Sequence, residues 1–182
     1  MPGLSRRVVL KVCISAPANL LSQLIMAAEL ILKLKAGDPA PDFTAATNGG
    51  GKVSLADFRG KHVALYFYPR DNTPGCTLEA CNLRDNFTEL KKHGVVVLGV
   101  STDPVKSHDK FVEKYKLPFT LLADEDKAIV QAYGVWGQKS FMGRKFMGTN
   151  RVTFLIGPDG LIKKIWPKVK ITDHAAEILA AL

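Results

Sequence analysis

The twenty residues His62-Val63-Ala64-Leu65-Tyr66-Phe67-Tyr68-Pro69-Arg70-Asp71-Asn72-Thr73-Pro74-Gly75-Cys76-Thr77-Leu78-Glu79-Ala80-Cys81 change character twice. Residues 62–68 run without the polar alternation of a half-exposed strand, as a strand covered on both faces does. After Pro69 the chain turns polar, and beyond Thr73 it takes up helical spacing, with Ala80, Leu83, Phe87 and Leu90 on one face. The expectation is strand, loop, helix. Thr73 stands where a helix cap belongs and Pro74 at the first helical position. Cys76 then falls in the first turn, facing unpaired N–H groups and the positive end of the helix dipole, and both favour thiolate over thiol. A free cysteine is commonly just a small buried hydrophobe. The polar neighbours and the helix start make a reactive nucleophile the better reading here.

Working outward, Leu30, Leu32 and Leu34 alternate with polar residues as in a half-buried strand, and 37–43 breaks the pattern. Asn48-Gly49-Gly50-Gly51 reads as a turn whose return arm is 53–55. On the other side, the helix carrying Cys76 is expected to end near Gly94, and 95–100 is a second buried strand. A crossover of this length implies parallel, right-handed pairing. Further on come a helix from Asp103-Pro104 to about Tyr115, a strand over 118–122 and a short helix over 124–133. Residues 151–156 and 161–166 flank the hairpin turn Gly157-Pro158-Asp159-Gly160, and 173–182 forms a closing helix. A parallel strand-helix-strand unit, then an antiparallel hairpin and a final helix, is the thioredoxin-like order. The fold class is α/β, a central mixed sheet flanked by helices.

With 182 residues, 47% hydrophobic and 23% charged, the composition is that of one globular domain. The formal net charge of +8 is spread along the chain, without a block of like charges or an aromatic-interleaved basic motif. Nucleic acid is therefore not an expected partner. Three cysteines do not make a disulfide scaffold. Cys76 and Cys81 have four residues between them and no second ligand pair, and His62, His93, His108 and His174 are isolated, so no metal is expected. Each histidine reads as a surface or internally satisfied one.

Residues 1–28 stand apart as an N-terminal extension, with 29–182 as the domain. The extension holds Arg6, Arg7 and Lys11 and no carboxylate. Ser5-Arg6-Arg7-Val8-Val9-Leu10-Lys11 resembles a twin-arginine export signal, but Pro17, Asn19, Ser22 and Gln23 weaken its apolar stretch. The simpler expectation is a start at Met26 and a cytoplasmic protein, with no function for Cys13. No run of about eighteen uninterrupted apolar residues argues for a membrane span.

The pattern Pro69-x-x-x-Thr73-x-x-Cys76 resembles the active-site motif of the peroxiredoxins. Residues 71–76 with Glu79-Ala80-Cys81 are similar to the peroxiredoxin Q branch, also called bacterioferritin comigratory protein. The likeness extends through Ala40-Pro41-Asp42-Phe43, Val105-Lys106-Ser107-His108, Leu117-Pro118-Phe119, Tyr133-Gly134-Val135-Trp136 and Thr153-Phe154-Leu155-Ile156. The resemblance implies a thiol peroxidase acting on hydrogen peroxide and alkyl hydroperoxides without a cofactor. It also implies Cys76 as the peroxidatic cysteine, Cys81 as the resolving cysteine, Arg151 beside the sulfur, and thioredoxin or a similar dithiol as reductant. With no cysteine after residue 81, a monomer is the default.

Elementary chemistry says why such residues are needed. An ordinary thiol, pKa about 8.5, is only ~3% thiolate at pH 7. Making it ~90% thiolate takes roughly 3.4 kcal/mol, of which a helix start supplies about 0.3–2 kcal/mol. A second positive group is wanted, and the always-charged fork of Arg151 suits both a thiolate and the leaving oxygen of a peroxide. Thr73 has two readings, helix cap or hydroxyl aimed at sulfur and peroxide. Pro69 shields the sulfur from water, or simply ends the strand. Glu79 buttresses the arginine, or is a carboxylate favoured by the dipole. Two residues five apart on an intact helix have Cα atoms about 8.7 Å apart, ~140° around the axis. A disulfide needs less than about 7 Å. Residues 74–82 must therefore unwind for Cys81 to reach Cys76.

Overall fold

A computed structural model describes residues 32–141 and 143–182. The expectations for residues 1–28 and for Leu30 lie outside the described residues. The elements are β1 (Thr44–Thr47), β2 (Lys52–Ser54), β3 (His62–Phe67), α1 (Pro74–Asp85), α2 (Phe87–Lys92), β4 (Val95–Ser101) and α3 (Val105–Tyr115). They continue with β5 (Thr120–Ala123), α4 (Ala128–Ala132), β6 (Trp136–Phe141), β7 (Arg144–Thr149), β8 (Val152–Ile156), β9 (Ile162–Trp166) and α5 (His174–Leu179). Seven strands form one mixed sheet in the order β2-β1-β5-β4-β3-β8-β9, while β6 and β7 pair with each other.

β3 runs parallel to β4 and antiparallel to β8. Its side chains alternate between two cores: Val63, Leu65 and Phe67 join one, and Ala64, Tyr66 and Tyr68 the other. Both faces are covered, which is why the sequence there shows no alternation. The second core takes in Cys76, Ala80 and Leu83 of α1 and Ile178 of α5. In β4, Gly99 is forced by the ring of Tyr66: a Cβ there would lie 2.7 Å from its hydroxyl oxygen and 2.6 Å from Leu121. The glycine leaves room for Tyr66 of β3 and Leu121 of β5 to meet over β4.

Three expectations need correction, and one element is new. Residues 32–34 are not a strand; Leu32 and Leu34 pack on the core, while pairing waits for Gly37, whose N–H reaches the Ile162 carbonyl at 2.8 Å, and for a lone bridge from Pro39 to Leu161. The helix expected to reach Gly94 breaks at Asn86, where φ is −106° and the side-chain amide donates to the Asn82 carbonyl at 2.8 Å. The apolar spacing continues through the break, so periodicity alone cannot reveal it. The helix expected over 124–133 is confined to α4, because Lys127 is left-handed and Asp124 accepts the N–H groups of Ile129 and Val130 from outside the helix. The β6–β7 hairpin was not foreseen. Residues 144–147 of β7 are all exposed, and only the base of the hairpin, Trp136 and Thr149, meets the core, too little for a sequence pattern to report.

Candidate active site

β3 ends at Phe67, and Tyr68 keeps one ladder bond, its N–H to the Val100 carbonyl at 3.1 Å. The loop that follows is pinned by Asp71. Its carboxylate accepts from the Tyr68 hydroxyl at 2.7 Å and the Ser107 hydroxyl at 2.7 Å, and lies 2.9 Å from His108 Nδ1. The Asp71 N–H donates to Asp103 at 2.9 Å, and Asp103 also accepts from the Ser101 hydroxyl at 2.7 Å. The other nitrogen of His108 lies 3.2 Å from the Leu122 carbonyl. Burial alone would raise the Asp71 carboxyl, but His108, Ser107 and Tyr68 together hold it below the usual range.

The pinned loop delivers Thr73 to the cap position of α1 with extended backbone, φ −85° and ψ 149°. Its side chain does not cap; the hydroxyl donates to the Arg70 carbonyl at 3.0 Å. Pro74 opens the helix, and Cys76 lies in its first turn, 1% exposed. Arg151, just before β8, donates Nη2 to the Cys76 sulfur at 3.1 Å, while its Nη1 pairs with Glu79. Glu79 is one turn beyond Cys76 on the same face and fully buried, so of its two readings the buttress is the one realised. Only one of its oxygens is bonded; Oε1 has no partner. Burial pushes the Glu79 carboxyl up to about 7, against the pull of Arg151. Burial works to lower Arg151, yet Glu79 and Cys76 outweigh it and hold the guanidinium above its usual value.

The unforeseen hairpin closes the other side of the loop. Pro69, Arg70, Trp136, Lys139, Phe146 and Met147 are among the residues lining a cavity of about 290 Å³. Lys139 donates to the Thr149 carbonyl at 2.9 Å. Burial and Arg151 pull its ammonium down, and Cys76 opposes them, so this lysine shares the electrostatic environment of the sulfur. Among the described residues no group of His, Cys, Asp or Glu side chains is arranged to hold a metal ion.

Cys76, Arg151 and Glu79 are thus in direct contact, with Thr73 and Pro69 on the same loop. Cys81 is not brought to Cys76: both are free thiols in one continuous helix, and Cys81 is half-buried. The polar cluster around Asp71 was missed by sequence reasoning. His108 belongs to it, buried and satisfied, and His174 is likewise buried, 2.8 Å from the Thr153 hydroxyl. Ser107-His108 and Asp71 were visible as separate family-like segments, but nothing in one sequence pairs residues 37 positions apart.

A mixed sheet that presents a buried cysteine at a helix start, under an arginine held by a buried carboxylate, defines a thiol peroxidase of thioredoxin-like fold. The AhpC/TSA family model matches residues 36–165, and the chain belongs to that family. It is 50% identical over 151 residues to the putative peroxiredoxin bcp of Coxiella burnetii, covering 83% of this chain and all of that protein. It is also 50% identical over 146 residues to peroxiredoxin Bcp of Escherichia coli, covering 80% of this chain and 94% of the other. A solved structure of Xanthomonas campestris bacterioferritin comigratory protein, studied for its alkyl peroxide reduction activity, superposes with a TM-score of 0.74 at 37% identity. That match covers 83% of this chain and 96% of the other.

Proposed function

We propose that this peroxiredoxin reduces hydrogen peroxide and alkyl hydroperoxides with Cys76 as the peroxidatic residue and Cys81 as the resolving residue. The thiolate of Cys76 attacks the terminal oxygen of the hydroperoxide and the O–O bond breaks. Cys76 becomes a sulfenic acid, and the departing alkoxide or hydroxide leaves as alcohol or water after taking a proton. The Cys81 thiol then displaces hydroxide from the sulfenic sulfur, releasing water and forming the disulfide. A dithiol reductant, thioredoxin in our reading, takes the disulfide back to two thiols and is itself oxidised.

The observation that carries this reading is the Arg151 Nη2 contact to the Cys76 sulfur at 3.1 Å, made while Nη1 is anchored on Glu79. One arm of the fork is fixed, so the other is aimed before substrate arrives. Pro69 starts the loop that leads to Cys76, and in this reading it limits the access of water to the sulfur. The Thr73 hydroxyl, resting on the Arg70 carbonyl, has lone pairs and a rotatable proton to offer an incoming peroxide. A cavity that shares Pro69 and Arg70 with this loop, and that Trp136, Phe146 and Met147 line, offers apolar surface to an organic substituent, although Cys76 itself is not among its lining residues. The protein acts as a monomer in this scheme, since both cysteines lie on one helix. A reducing compartment suits the cycle, and the cytoplasm is the placement we propose.

The test is peroxide consumption with thioredoxin and its reductase supplied. Cys76→Ser abolishes turnover. Cys81→Ser consumes about one equivalent of peroxide and then stalls unless small thiols are added. Turnover that survives Cys76→Ser overturns the assignment.

A further inference from the structure

The helix that carries both cysteines has to open for the disulfide, and the structure shows what holds the chain on either side of the opening. On the N-terminal side is Asp71, with three side-chain partners at 2.7–2.9 Å drawn from β3's end and from α3, and its own N–H tied to Asp103. On the C-terminal side is Asn82, the residue after Cys81. Its Nδ2 donates to the Thr172 carbonyl at 2.6 Å and its Oδ1 accepts the Ala175 N–H at 2.9 Å, binding α1 to the start of α5. Neither tie uses the hydrogen bonds that the opening destroys.

In a helix the N–H groups of residues 82–85 bond the carbonyls of residues 78–81. Once Cys76 and Cys81 come together those carbonyls move, and residues 82–85 lose their helical acceptors. What then keeps them in place is the Asn82 amide on α5 together with Leu83, fully buried in the second core. Upstream, the buried Asp71–His108 pair fixes the residue just before Asn72, whose backbone is left-handed at φ 56°.

We infer that Asp71, through His108, and Asn82 are two clamps that stay closed in both redox states and confine the opening to residues 72–81. His108 and Asn82 are positioning residues, acting on disulfide formation through the segment they bound. This rests on the proposed Cys76–Cys81 disulfide. The clamps keep the moving part short, so reduction has only one stretch of about ten residues to refold before Cys76 again meets Arg151.

Amide hydrogen exchange read by mass spectrometry, on the full chain reduced and peroxide-oxidised, tests the inference. Intact mass first establishes the loss of two hydrogens that marks the disulfide; if it does not form, the resolving role of Cys81 fails and this inference fails with it. With the disulfide formed, oxidation is expected to speed exchange at least tenfold within 72–81. The segments 83–92, 105–115 and 172–179 should stay unchanged within twofold. In Asn82→Ala the oxidation-dependent change should spread into 83–92 and 172–179, and in His108→Asn into 105–115. A purely structural role predicts instead that each substitution raises exchange equally in both redox forms, which overturns the inference. So does wild-type protein in which oxidation already loosens α3 or the start of α5, a result that needs no variant to fold.

Discussion

Two buried carboxylates flank the reactive cysteine, and they are held in opposite ways. Asp71 has every oxygen engaged by Tyr68, Ser107 and His108, and its carboxyl sits below the usual range despite burial. Glu79 is just as deeply buried but answers only to Arg151, has one oxygen without a partner, and is pushed up to about 7. The first is a settled anchor and the second a group whose ionisation inside the fold is costly. That difference matches their places in the chain: Asp71 precedes the segment that has to unwind, and Glu79 lies within it. In the opening we propose, Glu79 would reach water, where its charge is inexpensive, so the buried carboxylate that steadies Arg151 in the reduced form would also favour letting go.

The largest expected effect that sharpens this contrast is on chemistry. Arg151→Ala removes the donor to sulfur and leaves Glu79 alone. By analogy with the loss of one preorganised donor, the rate constant for peroxide reduction should fall about 10²–10³-fold in stopped-flow assays. A loss under tenfold would place the activation elsewhere.

Of comparable size in free energy is the effect on stability. Asp71→Ala strips a satisfied buried carboxylate from His108 and should cost about 3–5 kcal/mol in urea unfolding. Glu79→Gln, which keeps shape and removes a half-satisfied charge, should cost less than Asp71→Ala at pH 8. Equal losses would erase the distinction between anchor and moving carboxylate.

The smaller effect is on pH dependence, and the two groups have opposite signs. Glu79 has a folded value of about 7 against a usual 4.5, so between these pH values the folded state binds the extra proton. Its contribution to stability therefore falls as pH rises through that window, by up to roughly 3 kcal/mol. Asp71 is depressed below 3.8, so its contribution is present above that value and is lost as pH falls through the lower folded one. Buried His174, lowered to about 4, adds a slope of the opposite sign below pH 6.5, so the Glu79 part is read as the difference between wild type and Glu79→Gln, which should fall between pH 4.5 and 7 in unfolding measured from pH 3 to 8.

Much of this was legible in the sequence because it is local or periodic. The unalternating run 62–68, the cap and proline before Cys76, and the hairpin turn at 157–160 each specify their own geometry. Arg151 was reached through the family likeness, since a lone arginine before a strand carries no pattern of its own. The Asp71–His108 pair stayed hidden for a plainer reason. Its partners come from just after β3, just after β4 and from α3, and only the parallel crossover brings them together. Thr73 was placed correctly as the cap residue, yet its hydroxyl donates back to the Arg70 carbonyl instead of accepting a helix N–H, a choice that spacing does not fix. The hairpin β6–β7 escaped because its side chains bury little. Hydrophobic periodicity reports burial, and this element closes the cavity beside the site with mostly exposed residues.

Far-UV circular dichroism of the reduced protein and of its Cys76–Cys81 disulfide tests the central claim most directly. In the reduced form both cysteines share the unbroken helix Pro74–Asp85. The oxidised form should lose helical signal worth on the order of eight to ten residues, because five residues of intact helix hold the two Cα atoms about 8.7 Å apart. The signal should return on reduction. Identical helix content in the two forms would contradict the claim that the helix which positions Cys76 under Arg151 must also come undone in every cycle.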